Sequence, residues 1–83
     1  MMAHDLKVLK GLLKGRTFDK ARITTYNSVS DFTSEAELIQ YLSNIGQPKE
    51  KSAILLEDGA WIAWTLHTAG YEYHYCWELY RCE

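Results

Sequence analysis

At 83 residues, 47% hydrophobic, 13% aromatic and 24% charged, with a net charge of −2, the chain is long enough for one domain, 1–83, and short enough that its core rests on few side chains. That balance excludes a disordered segment, which lacks aromatics and carries more net charge. No run approaches the roughly 20 apolar residues of a membrane span, and residues 1–15 lack the apolar core and small-residue cleavage site of a signal peptide. A soluble, cytoplasmic protein with no membrane association is therefore expected.

The charge is unevenly spread. Residues 1–22 carry six basic and two acidic side chains, whereas residues 23–83 carry three basic and nine acidic ones. One end is basic and the remainder acidic. Cys76 and Cys82 are too few for a disulfide framework and read as free thiols in a reducing compartment.

Taken in chain order, the first predicted element is a helix. Asp5 is a candidate cap, Leu6, Val8, Leu9, Leu12 and Leu13 recur at helical spacing, and Gly15 is a natural stop. Lys7, Lys10 and Lys14 fall on one side of it, so the helix is amphipathic with a basic face. Residues 17–27 read as a strand, with Ala21, Ile23 and Thr25 on one side. Ser34 followed by Glu37 is a capping box, and Leu38, Tyr41, Leu42 and Ile45 give the second helix its apolar stripe, closed by Gly46 and Pro48.

The remainder is strand and turn. Asp58-Gly59 between two apolar runs is a strong hairpin signal, and as a two-residue loop it would pair Leu55 with Ile62 and Ala53 with Trp64. Ala69-Gly70 is a second, weaker turn, which would place Trp64 opposite Tyr75 and Ile62 opposite Trp77. The two registers agree in parity. One face collects Ala53, Leu55, Ile62, Trp64, Leu66, Tyr73, Tyr75, Trp77 and Leu79. The fold expected is a small α+β domain of order α-β-α-β-β-β, an antiparallel three-strand C-terminal meander with the helices packed on one face. The place of the first strand in the sheet is not fixed by the sequence.

Two short helices cannot cover both sides of such a sheet. Unless the first helix packs there to make a filled sandwich, the uncovered face would carry Ile54, Leu56, Trp61, Ala63 and Tyr80 as an apolar cluster, with Glu72 and Glu78 at its rim, and aromatic anchors of this kind suit a protein interface. The leading expectation is therefore a small non-catalytic protein-binding module. Its concrete form is an inhibitor of a nuclease or other nucleic-acid-processing enzyme, whose basic groove the acids would complement. It would act in the manner of small phage anti-defence proteins or immunity proteins. That likeness is one of size and style; no segment carries a motif of a known family. A homodimer through the same face is the other assembly the pattern allows.

Two alternatives come from different classes. A nucleic-acid-binding protein would use the basic helix, Lys7, Lys10 and Lys14 with Arg16 nearby, although nucleic-acid binders are usually strongly basic overall. A structural zinc domain would draw on His67, His74, Cys76 and Cys82, which number four but match no standard spacing of zinc knuckles. No metal site and no cofactor is assigned on these grounds. Catalysis is not expected either: a Glu72–His67 pair across strands would lack a nucleophile or a phosphate-binding loop beside it.

Overall fold

The computed structural model describes residues 1–81. Helix α1 spans Ala3–Leu13, strand β1 Phe18–Thr24, β2 Val29–Phe32, helix α2 Glu35–Asn44, and strands β3 Ala53–Leu56, β4 Trp61–Ala69 and β5 Glu72–Tyr80. The five strands form one antiparallel sheet in the order β2-β1-β3-β4-β5. The α+β class and the C-terminal meander are as the sequence implies. The segment expected as one strand over 17–27 is in fact a strand and most of a turn, which leads into a second, short strand from Val29. Thr25 to Ser28 turn the chain, with Thr25 N–H donating to the Ser28 carbonyl at 2.8 Å and the two hydroxyls 2.7 Å apart. β2 has four residues, too few to show a period of two on their own. β1, whose place the sequence left open, lies between β2 and β3.

Helix α1 begins two residues before Asp5. Met2 takes the N-cap position without a side-chain hydrogen bond, and Asp5 lies in the first turn, where its charge faces the positive end of the helix dipole. Gly15 has φ 75°, the left-handed conformation that terminates the helix. At α2 the Ser34 hydroxyl accepts from Glu37 N–H at 3.3 Å, as the capping pattern predicts.

Both helices lie on the same side of the sheet, α1 against β5 and α2 against β1 and β2. The core is the layer between them. Leu9 and Leu13 of α1 and Leu38 and Leu42 of α2 meet Ala21, Ile23, Ile54, Leu56, Ile62, Trp64 and Trp77 of the sheet. Trp64 and Trp77 are cross-strand partners that meet edge to face, with centroids 5.0 Å apart. Tyr75 stacks on the other side of Trp64 at 5.8 Å.

Two turns differ from expectation, with different consequences. The β3–β4 loop contains three residues, Glu57-Asp58-Gly59, so that Leu56 N–H donates to the Ala60 carbonyl at 3.0 Å and Ile54 pairs with Ile62. Gly59 takes φ 91° and the Asp58 carboxylate accepts from Ala60 N–H at 2.9 Å, the form of a turn followed by a left-handed residue. One extra loop residue slips the register by one, and a one-residue slip exchanges the faces of the strand. Ile54 and Leu56 are therefore core residues, 0% and 3% exposed, while Ala53 and Leu55 take the open face. The β4–β5 loop is Gly70-Tyr71, so Ala69 pairs with Glu72. That is a slip of two: the partners change, Trp64 facing Trp77 and Ile62 facing Leu79, but every side chain stays on its expected face.

The one fully buried polar residue among the described residues, Ser52, ties the segment before β3 to the end of β1. Its Oγ accepts from Thr24 N–H at 3.0 Å and lies 3.2 Å from the Thr24 carbonyl and 2.9 Å from the Lys49 carbonyl.

Candidate functional site

The side of the sheet away from the helices is set by the register. Arg22 of β1 and Asp31 of β2 are cross-strand partners there. Arg22 is also opposite Ala53 of β3, and Lys20 is opposite Leu55. Trp61 is opposite both Leu55 and Tyr80, and Ala63 faces Glu78, Thr65 faces Cys76 and His67 faces His74. Along the β4–β5 ladder the large pairs Trp61–Tyr80 and His67–His74 are separated by the small residues Ala63, Thr65 and Cys76.

At one end Trp61 and Tyr80 stack with centroids 5.7 Å apart and planes 17° from parallel. Both rings are half-buried, and Leu55 beside them is 38% exposed. Next to this apolar group, Arg22 binds Asp31 through two hydrogen bonds, Nε to Oδ1 at 2.7 Å and Nη2 to Oδ2 at 3.2 Å. This hydrogen bond chiefly, and the charge of Arg22 besides, hold the Asp31 carboxyl below its ordinary value, while Asp31 raises Arg22. A shallow groove of about 480 Å³ runs along this pair, floored by Ala21 and Ala53 and edged by Lys20, Phe32 and Leu55.

At the centre, Tyr80 Oη lies 2.8 Å from Thr65 Oγ1 and donates to Glu78 Oε2 at 3.1 Å. The other carboxylate oxygen, Oε1, sits 2.7 Å from His67 Nε2 and 3.9 Å from Cys76 Sγ. The His67 nitrogen is shut off from solvent and makes no aligned hydrogen bond, although the ring as a whole is partly open. Partial burial, then the nearby Glu78 charge, push the Cys76 thiol above its ordinary value. The His67 and His74 rings stack at 5.4 Å.

Of the residues the sequence proposes for a protein interface, Trp61, Glu78 and Tyr80 come together on the open face. Ile54 and Leu56 do not: the three-residue loop turns them into the core, and Ala53 and Leu55 stand in their place. Glu72 is on the same face but opposite Ala69, at the far end of the ladder from Trp61. It does not meet His67, whose partner is His74. Sequence reasoning missed Leu55 through the parity slip, and missed Arg22 with Asp31 because β2 was not recognised; the opposed charges of those two were the available signal.

The basic residues lie on the other layer. Lys7, Lys10 and Lys14 are exposed on α1 and, among the described residues, make no ion pair. Arg16 Nε donates to the Leu12 carbonyl at 2.9 Å and so serves the helix end. Of the four proposed zinc ligands, His67 and Cys76 approach one another, His74 stacks outside them, and Cys82 lies outside the described residues. Among the described residues no helix is long and apolar enough to cross a membrane. The chain matches no protein-family model, and neither a curated protein nor a solved structure is recognisably similar to it.

Proposed function

We propose that this protein is a non-catalytic binding module that docks a protein partner on its open sheet face. One observation carries the reading: both helices pack on the same side, leaving the opposite side with a stacked Trp61–Tyr80 pair and an exposed Leu55 bordered by charge. Large aromatic rings with polar tips, set beside small residues and rimmed by Arg, Asp and Glu, make the composition that dominates interface hot spots. Stacking fixes the two rings before a partner arrives, so little side-chain entropy remains to be lost on docking. The excess of acids over residues 23–83 favours a partner of basic surface. An inhibitor that occupies the groove of a nucleic-acid-processing enzyme is the specific form of this proposal.

The test is affinity capture with the tagged protein, repeated with Trp61→Ala, Leu55→Asp and the triple variant Lys7→Glu, Lys10→Glu, Lys14→Glu. A protein partner retained by the wild type and the triple variant but lost by both open-face variants supports the reading. Nucleic acid captured by the wild type and lost only by the triple variant would replace it with the alternative in which α1 binds phosphates. A dimer by light scattering that Leu55→Asp converts to monomer would make the second copy the occupant of the face.

A further inference from the structure

The geometry points to a transition-metal site on the open face, formed by His67, Cys76 and Glu78 and suited to a zinc-class divalent cation. One ligand atom from each residue, an imidazole nitrogen, a thiol sulfur and a carboxylate oxygen, lies within 4.8 Å of the other two. Zinc bonds of roughly 2.0–2.3 Å in a tetrahedron place neighbouring ligand atoms about 3.3–3.8 Å apart. Glu78 Oε1 already lies 3.9 Å from Cys76 Sγ, close to that spacing, while its 2.7 Å approach to His67 Nε2 must open by about 1 Å to admit the ion, a movement that side-chain torsions supply.

The backbone explains why they converge. Thr65 and Cys76 are cross-strand partners, and His67 and Glu78 flank that pair, one on each strand. Because Thr65 and Cys76 are small, the two longer side chains lean across them and meet above the thiol. Three further features are those of a ligand set. His67 Nε2 is enclosed and without an aligned hydrogen bond, and its near polar neighbour at 2.7 Å, Glu78 Oε1, is itself a member of the set. The Glu78 carboxylate is held by Tyr80 Oη on Oε2, which turns Oε1 toward His67 and Cys76. Tyr80 is in turn held by Thr65 at 2.8 Å. Outer groups that orient a ligating carboxylate are what metal sites require in addition to the ligands themselves. A mixed N, S, O donor set suits zinc, and three protein ligands leave the fourth, outward position to water. On binding, the Cys76 thiol proton leaves to solvent. The site shares Tyr80 and Glu78 with the proposed docking face but is tested by metal binding alone, without a partner.

The probe is Co²⁺, added to the full chain in a Cys82→Ser background so that Cys76 is the sole thiol, with Zn²⁺ as competitor. The expected result is a thiolate-to-cobalt charge-transfer band that saturates at one equivalent and is displaced by Zn²⁺. Cys76→Ser removes the band, and Glu78→Gln and His67→Ala each weaken binding at least tenfold. Tyr80→Phe, which frees the carboxylate, weakens it by about tenfold while preserving the ligands. Zn²⁺ at a hundredfold excess over its Kd raises Tm by roughly 10 °C or more. His67, His74, Cys76, Glu78 and Tyr80 all lie on the open face, and far-ultraviolet circular dichroism establishes that each variant is folded. No band at stoichiometric cobalt would overturn the site. So would a band that survives Glu78→Gln but is lost in His74→Ala.

Discussion

The β3 register is the feature on which the composition of both faces depends, and it makes opposed demands on two adjacent residues. Ile54 is 0% exposed and packs in the core between Ala21 and Ile62, whereas Leu55 is 38% exposed on the open face. Truncating a fully buried Ile to Ala removes its transfer free energy and leaves a cavity, at a cost of about 2–5 kcal/mol. A domain of this length is stable by roughly 4–12 kcal/mol, so Ile54→Ala removes a large part of the total. Leu55→Ala truncates a side chain that is 38% exposed and leaves no enclosed cavity, so it costs about 1 kcal/mol or less. With Tm moving about 4–8 °C per kcal/mol in a domain of this size, a difference of at least about 1 kcal/mol separates the variants by at least about 4–8 °C. Urea unfolding followed by Trp fluorescence gives the free energies, and thermal unfolding by circular dichroism gives the Tm difference. Equal costs, or a larger cost at Leu55, would refute the three-residue loop and restore the two-residue hairpin, with Leu55 inside and Ile54 outside.

Three further outcomes follow from the same geometry. Ser52→Ala leaves Thr24 N–H without its buried acceptor, and a loss of about 1–3 kcal/mol in urea unfolding is expected; a neutral effect would mean that the bond at 3.0 Å contributes nothing net. Gly59→Ala places a side chain at φ 91° and should cost about 1–2 kcal/mol, although the added methyl meets no neighbouring atom, so the effect is conformational strain and not a clash. The Asp31 carboxyl, followed by NMR, should titrate below the ordinary value of about 3.9 in the wild type and return to it in Arg22→Ala. Because the folded-state value is the lower one, the pair's contribution is present above the ordinary value and lost as pH falls through the depressed one. Both groups are exposed, so any change in overall stability is small.

The helices and the meander were legible because each has a signal that survives one error. Ser34 with Glu37 marks the start of α2 whatever follows, and the alternation from Trp61 to Ala69 and from Glu72 to Tyr80 spans nine residues in each strand. β2 has neither a cap nor sufficient length, and its pairing with β1 is visible only once Arg22 and Asp31 are seen opposite each other. The turn at Glu57-Asp58-Gly59 illustrates a different limit. Asp-Gly serves both as a complete two-residue loop and as the last two residues of a three-residue one, and local residues do not separate the two. What decides is the choice between burying Ile54 with Leu56 or Ala53 with Leu55. The first pair places more apolar surface in the core layer beneath the helices, and the sheet adopts it.

That choice also shapes the open face. With Ile54 and Leu56 exposed, the face would be a broad apolar patch around Trp61. With Ala53 and Leu55 there instead, a small residue lies beside Arg22 and another, Ala63, beside Glu78, so charged side chains extend over the sheet without obstruction. The apolar part contracts to Leu55, Trp61 and Tyr80, and the polar part reaches the centre through Thr65, Glu78 and His67. A continuous apolar patch would favour indiscriminate association, whereas a compact stacked pair bordered by oriented charges selects for a partner with matching groups. The composition of the open face thus depends on one loop residue: lengthening the hairpin from two to three places the larger aliphatic chains in the core and leaves room outside for polar groups to be positioned.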